Sequence, residues 1–151
     1  MNRALCFAIV FVGAFAITVP AFAAAEWPPI VSNYVAAVRK TVTAIDAKGY
    51  LAVVKKPKGA LILDVREPAE FAAGHVPGAV NIPRGVLEFK IYEQLGYPKK
   101  VDTERRIYVQ CATGDRAALA AAALNKIGFK NVTAAVFNWA DWVKAGNPNI
   151  K

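Results

Sequence analysis

Cysteine, histidine and methionine are almost missing from this 151-residue chain, which carries two, one and one of them. A lone histidine beside so few thiols leaves no ligand set for a metal site, because structural and catalytic zinc need three or four nitrogen or sulfur donors. Charge runs of one sign are also missing. The basic residues are scattered as Arg39 and Lys40, Lys55, Lys56 and Lys58, Lys99 and Lys100, and Arg105 and Arg106, with no aromatics interleaved. That is not a nucleic-acid pattern; it reads as a solvated surface that mildly attracts small anions. Repeats and low-complexity stretches do not occur, so solenoid and fibrous classes drop out.

A membrane-spanning run is missing too, although the chain begins as if it had one. Residues 1–25 read MNRALCFAIVFVGAFAITVPAFAAA, with Arg3 as a positive start and Ala4 to Val19 as an apolar stretch. Ala21, Phe22 and Ala23 then supply an A-x-A cleavage site. At about 1.5 Å per helical residue that stretch falls short of the roughly 30 Å hydrocarbon core. Residues 1–23 are therefore expected to be an export signal cut after Ala23, with Ala25 the next choice. Cys6 lies early in the stretch, away from the position of a lipid-accepting cysteine, so no stable membrane anchor is expected.

Without the leader about 128 residues remain, enough for a single core and too few for two domains. Eighteen basic residues then face eleven acidic ones, a net charge of +7. Cys111 stands alone in a compartment where cysteines pair, so an internal disulfide is excluded. Its thiol is either inert and buried or reactive by purpose.

Along the chain, residues 24–40 read as an N-terminal extension and 41–149 as the domain. Ser32 could cap a helix carrying Tyr34, Val35, Val38 and Val42, while TVTAI at 41–45 could equally be a short strand. Asp46 precedes a short helix to Lys55, and KPKG breaks it before ALILDVR. That apolar run without alternation suits a strand covered on both faces of a parallel sheet. EPAEFAAG reads as a short helix, AVNIP as a strand, and GVLEFKIYEQLG as an amphipathic helix with Val86, Leu87, Phe89, Ile91 and Leu95 on its apolar side. RIYVQ is a further strand running into Cys111. RAALAAAALNKIGF is a helix ending at Gly128, NVTAAVF a strand, and WADWVKAG a last helix. Alternating strands and helices define an α/β fold, with helices on both faces of a mainly parallel sheet.

In such sheets ligands bind beyond the carboxyl ends of the strands, where Cys111 falls. The turn Ala112, Thr113, Gly114, Asp115 reverses the chain into the following helix, with Gly114 free to take positive φ. A turn curled around the sulfur aims successive N–H groups and a helix N-terminus at it, which favours a thiolate and any anion bound to it. Arg116 adds a positive charge at the rim and a planar fork suited to an oxyanion. Asp115 opposes that field, so its side chain is expected to point outward or cap the helix. The product is an ionised, reachable nucleophile. A buried cysteine that merely ends a core strand is the plainer alternative, and it leaves Gly114 and Arg116 without a reason.

The segments LILDVREPAEFAAGHVPGAVNIP at 61–83 and YVQCATGDRAALAAAALNKIGFKNV at 108–132, with Trp142, Gly146 and Pro148 in the tail, resemble a single rhodanese-homology domain. The resemblance implies a three-layer domain with a central, mainly parallel five-stranded sheet. It also implies a sulfurtransferase, in which Cys111 takes a sulfane sulfur from a donor such as thiosulfate and hands it to a thiophilic acceptor, cyanide or a thiol. By the same match, 112–116 is the cradle and Arg116 holds substrate or persulfide. No cofactor is called for. Related phosphatases use CX5R, whereas Cys111 to Arg116 is CX4R, a smaller ring that suits sulfur better than phosphate.

Asp64 and Arg66 end a strand on the edge that carries Cys111 and are expected to form a structural pair, with Arg66 also a second candidate for substrate binding. His75 in GHVPGA is expected to pin a turn; Trp139 and Trp142 are expected in the core, one of them bordering the pocket. Phe137 and Asn138 stand where the family commonly has two glycines. With no second cysteine, the sulfur must leave to an external small molecule or protein. A sulfur-carrier or interaction module with low turnover is the competing reading, and a phosphatase-like or arsenate-reducing enzyme a third.

Overall fold

The computed structural model describes residues 27–151. The expected leader, its cleavage position and Cys6 lie outside the described residues. Among these residues no helix is long and apolar enough to cross a membrane.

Five strands form one sheet, β1 (Thr43–Ile45), β2 (Leu61–Asp64), β3 (Val80–Asn81), β4 (Ile107–Gln110) and β5 (Val132–Ala135), in spatial order β1-β5-β4-β2-β3. Every pairing is parallel, and the register sets Leu61 beside Ile107 and Asp64 beside Gln110. The helices are α1 (Pro29–Arg39), α2 (Ala47–Lys55), α3 (Pro68–Ala72), α4 (Leu87–Lys90), α5 (Asp115–Lys126) and α6 (Trp139–Lys144).

Strand parity sorts the core into two layers. Leu61, Leu63 and Val65 with Ile107, Val109 and Cys111 face one side and meet Leu87, Ile91 and the buried alanines of α5. Ile62 and Ala135 face the other side, against Tyr50 of α2 and Trp142 of α6. The expected α/β class, parallel sheet and two covered faces are what the chain adopts. Ala117, Ala118, Ala120 and Ala121 are all fully buried. Their small side chains let α5 lie close on β4 and β5.

Two local expectations change, and one open reading is decided. The first helix begins at Pro29, before Ser32: proline at a helix start loses no hydrogen bond and has its φ already set. Ser32 sits inside the first turn and donates its hydroxyl to the Trp27 carbonyl at 2.9 Å. The TVTAI stretch resolves as the short β1. The amphipathic helix expected after Pro83 is broken into a 3-10 turn (Arg84–Val86), α4, and a second 3-10 turn (Ile91–Gln94). Leu87, Ile91 and Leu95 line its buried face at four-residue spacing, but Phe89 is 82% exposed and Val86 38%. At about 100° per residue, Phe89 points away from the face that Leu87 buries.

Candidate active site

β4 delivers Cys111 to the carboxyl edge of the sheet, and parity turns its side chain to the face that α5 covers. The chain then closes within four residues, because α5 starts at Asp115 with Gly114 as its N-cap at φ +90°. Glycine is required there twice over. An L side chain rarely adopts that φ, and a Cβ at Gly114 would stand 2.9 Å from the Val136 Cα. The tight turn brings the Gly114 N–H to the Cys111 sulfur, donating to Sγ at 3.1 Å.

The loop is held from outside at successive peptides. The Ala112 carbonyl accepts the Trp139 N–H at 2.8 Å, one of the orphan donors at the start of α6. The Thr113 carbonyl accepts Nη2 of Arg39 at 3.2 Å. In a trans peptide the N–H points opposite to its carbonyl, so fastening these carbonyls outward turns the Thr113 and Gly114 N–H groups to the inner side. Asp115 faces away from the sulfur as expected, pairing with Arg39 at 2.7 Å and accepting the Thr113 hydroxyl at 3.2 Å.

Arg116 lies on the first turn of α5, and its fork is already filled. Nη1 and Nη2 each donate at 2.8 Å to the two oxygens of Glu70 on α3. Glu70 also accepts the Glu67 N–H at 3.1 Å, which fixes the carboxylate in place. Its hydrogen bond from Arg116 holds the Glu70 carboxyl below the usual carboxylate range. The same bond, opposed by burial and helped by the charges of Glu70 and Cys111, keeps Arg116 still more firmly protonated than usual. The expectation that both donors stand open to an oxyanion is corrected here. Arg116 offers a positive charge, partly neutralised, close enough to feel the sulfur.

Cys111 itself is only 2% exposed and unpaired. The expected reachable nucleophile is corrected here: the sulfur lies beneath its loop with almost no contact with solvent. The sulfur shares the core cluster of Leu63, Val109 and the alanines of α5, as the plainer alternative expects, and it also receives the Gly114 amide, which that alternative does not account for.

Arg66 belongs to the scaffold beside this loop. It is 2% exposed, and its Nε and Nη2 clasp the fully buried Asp64 at 2.7–3.0 Å. It also donates to the Gly74 carbonyl at 2.8 Å and lies 4.3 Å above the Trp139 ring. The side chain of Gln110 on β4 donates to the same Asp64 carboxylate. His75 pins a turn: Nδ1 lies 3.0 Å from the Phe71 carbonyl, the ring stacks on Phe71, and the backbone bridges to Ile150. Trp142 is buried and donates to the Pro148 carbonyl at 3.0 Å, whereas Trp139 is half-buried over Arg66. The Phe137–Asn138 pair leaves an ordinary helix start. Asn138 has φ −88° and caps α6 by accepting the Ala140 N–H at 2.8 Å, and Phe137 stacks on Trp142.

Two residues at the site, Arg39 and Glu70, were not singled out from the sequence. Glu70 had a local sign, three residues after Glu67 at the start of a proline-led helix. Arg39 had none, since its partners lie more than seventy residues on. Among the described residues no group of three acidic, histidine or cysteine side chains could hold a metal ion.

The profile of the rhodanese-like domain matches residues 47–145. A mitochondrial protein of Schizosaccharomyces pombe, described as a candidate thiosulfate sulfurtransferase, is 31% identical over 121 residues, 74% of this chain and 84% of its own. Among solved structures, a Rhodopseudomonas palustris protein of unknown function, described as a possible tyrosine phosphatase, superposes with a TM-score of 0.68 at 29% identity. That match covers 78% of this chain and 92% of that one. The homodimeric polysulfide-sulfur transferase of Wolinella succinogenes superposes with a TM-score of 0.65 at 25% identity, covering 80% and 87%.

Proposed function

The chain belongs to the rhodanese-like domain family, and on that footing we propose that it is an exported sulfurtransferase of the thiosulfate type, working through a persulfide on Cys111. The observation that carries the reading is the Gly114 N–H at 3.1 Å from Cys111 Sγ, inside a six-residue loop at the start of a helix. A donor N–H fixed at that distance stabilises a thiolate before the reaction and the charge of a bound sulfur species during it.

In the first half-reaction the Cys111 thiolate attacks the outer sulfur of thiosulfate. An S–S bond forms to Sγ, the S–S bond of thiosulfate breaks, and its electron pair leaves with sulfite. In the second, cyanide or an acceptor thiolate attacks the terminal sulfur. The Sγ–S bond breaks, its pair returns to Cys111, and thiocyanate or an acceptor persulfide departs. Burial of Cys111 suits a donor with a terminal sulfur, and the Arg116 charge suits an anion. Cys6 falls within the export signal we assign to residues 1–23, so no second thiol remains to take the sulfur internally, and the acceptor is an external thiol, cyanide or a protein. On this reading the export signal we assign to residues 1–23 directs the protein out of the cytoplasm, to the periplasm of a bacterium.

Intact mass after incubation with thiosulfate is the test. The protein is expected to gain the mass of one sulfur atom, to lose it with dithiothreitol, and to gain nothing as Cys111→Ser; thiocyanate should appear when cyanide is added. Persulfide formation with little thiocyanate would favour a sulfur carrier. Hydrolysis of an aryl phosphate without any sulfur adduct would favour phosphatase-like chemistry and overturn the reading.

A further inference from the structure

Arg39 reaches the loop from α1, a helix that ends eight residues before the span matched by the family profile begins. Its Nη2 donates to the Thr113 carbonyl at 3.2 Å and contacts Asp115 at 2.7 Å. Thr113 C=O and Gly114 N–H are the two ends of one peptide unit, and the other end donates to Cys111 Sγ at 3.1 Å. A guanidinium, a single amide plane and the sulfur therefore stand in line.

We propose that Arg39 is a positioning residue for Cys111, acting through the Thr113–Gly114 peptide to aim and polarise the N–H that holds the thiolate and its persulfide. A cation on the carbonyl end of an amide draws electron density from the nitrogen and strengthens the hydrogen bond at the N–H end. It also opposes rotation of that plane, the motion that would swing the N–H off the sulfur. Gly114 makes this restraint necessary, because a glycine imposes the least conformational limit of any residue. More than a third of the Arg39 side chain is in solvent, so its pairing with Asp115 adds little stability. Orientation is where the contact acts.

Arg39 contacts the Thr113 carbonyl and Asp115 and reaches the sulfur only through the Thr113–Gly114 peptide. Its removal should slow formation of the persulfide and leave the KM for thiosulfate unchanged. The inference rests on the sulfurtransferase reading for that consequence, so the deciding experiment avoids sulfur donors altogether. Iodoacetamide consumes the thiolate, and its rate of reaction with Cys111 at one fixed neutral pH reads how well the loop stabilises it. In the full chain, Arg39→Ala is expected to slow alkylation about three- to tenfold, the worth of one hydrogen bond. Arg39→Lys, which keeps a cation, should recover part of the rate. Val35 is the buried residue of α1, so Val35→Ala loosens the helix while keeping Arg39. That variant should lower the melting temperature and leave alkylation alone. Wild-type alkylation in Arg39→Ala, or equal slowing in Val35→Ala, overturns the inference. A wild type that alkylates as expected but forms no persulfide overturns the proposed function instead.

Discussion

Arg116 and Glu70 meet fork to fork, two hydrogen bonds of 2.8 Å joining α5, the helix that opens at the candidate site, to the short helix α3. The carboxylate takes up both donors that an anionic substrate would use, so the pair restrains the loop at the cost of anion affinity. Glu70→Gln should weaken this competition and lower the KM for thiosulfate. A raised KM would mean that Glu70 serves chiefly to present Arg116.

The same pair sets a pH signature. Because Arg116 holds the Glu70 carboxyl low, its contribution to stability is complete above the ordinary carboxylate value and is lost as pH falls through the lowered one. The melting-temperature difference between wild type and Glu70→Gln is expected at neutral pH and should shrink as pH falls through and below the ordinary carboxylate range. Both groups are about one-third exposed, so the difference will be small.

Gly114→Ala tests the turn. The substitution puts a Cβ 2.9 Å from the Val136 Cα at a φ of +90°, so either the chain just after β5 gives way or the turn unwinds. Destabilisation of about 1–3 kcal/mol is expected by urea unfolding. Alkylation of Cys111 should slow as well, because unwinding takes the N–H off the sulfur. Unchanged stability would show that the turn has another accessible form.

Much of this was legible in the sequence because it is written locally. Apolar runs without alternation gave the parallel strands, and Cys111, Gly114 and Arg116 at fixed offsets gave the loop. Contacts made across the fold were not legible. Arg39 reads as one scattered cation among many until α1 packs on α5, and the Arg116 fork reads as open until α3 places Glu70 against it. Phe89 leaves the apolar side because it lies two residues from Leu87 on α4, about 200° round the helix from the buried face.

Asp64 and Arg66 make the case for a buried pair as scaffold. Both are essentially without solvent, and Gln110 and the Gly74 carbonyl complete their partners. Asp64→Ala strands the guanidinium and should cost about 3–5 kcal/mol, whereas replacing both with apolar residues should recover much of the loss. If Asp64→Ala proves mild, Arg66 has a second anchor strong enough to hold it, and the Trp139 ring beneath it is the candidate.

Tyr50 carries the last prediction. It is fully buried between Phe137 and Trp142, and its hydroxyl has no partner among the described residues. A buried hydroxyl without a hydrogen bond costs free energy and returns none. Tyr50→Phe should therefore be neutral or stabilising by up to about 1 kcal/mol. Burial first, then the nearby Asp64 charge, pushes the phenol well above its usual value, with Arg66 only partly opposing. The folded state thus keeps its proton where the unfolded chain loses it, so this group's contribution is full below about pH 10 and falls away as pH rises beyond it. Stability of the wild type should decline above that point more steeply than that of Tyr50→Phe. Parallel declines would show that the hydroxyl finds a proton acceptor or water in solution.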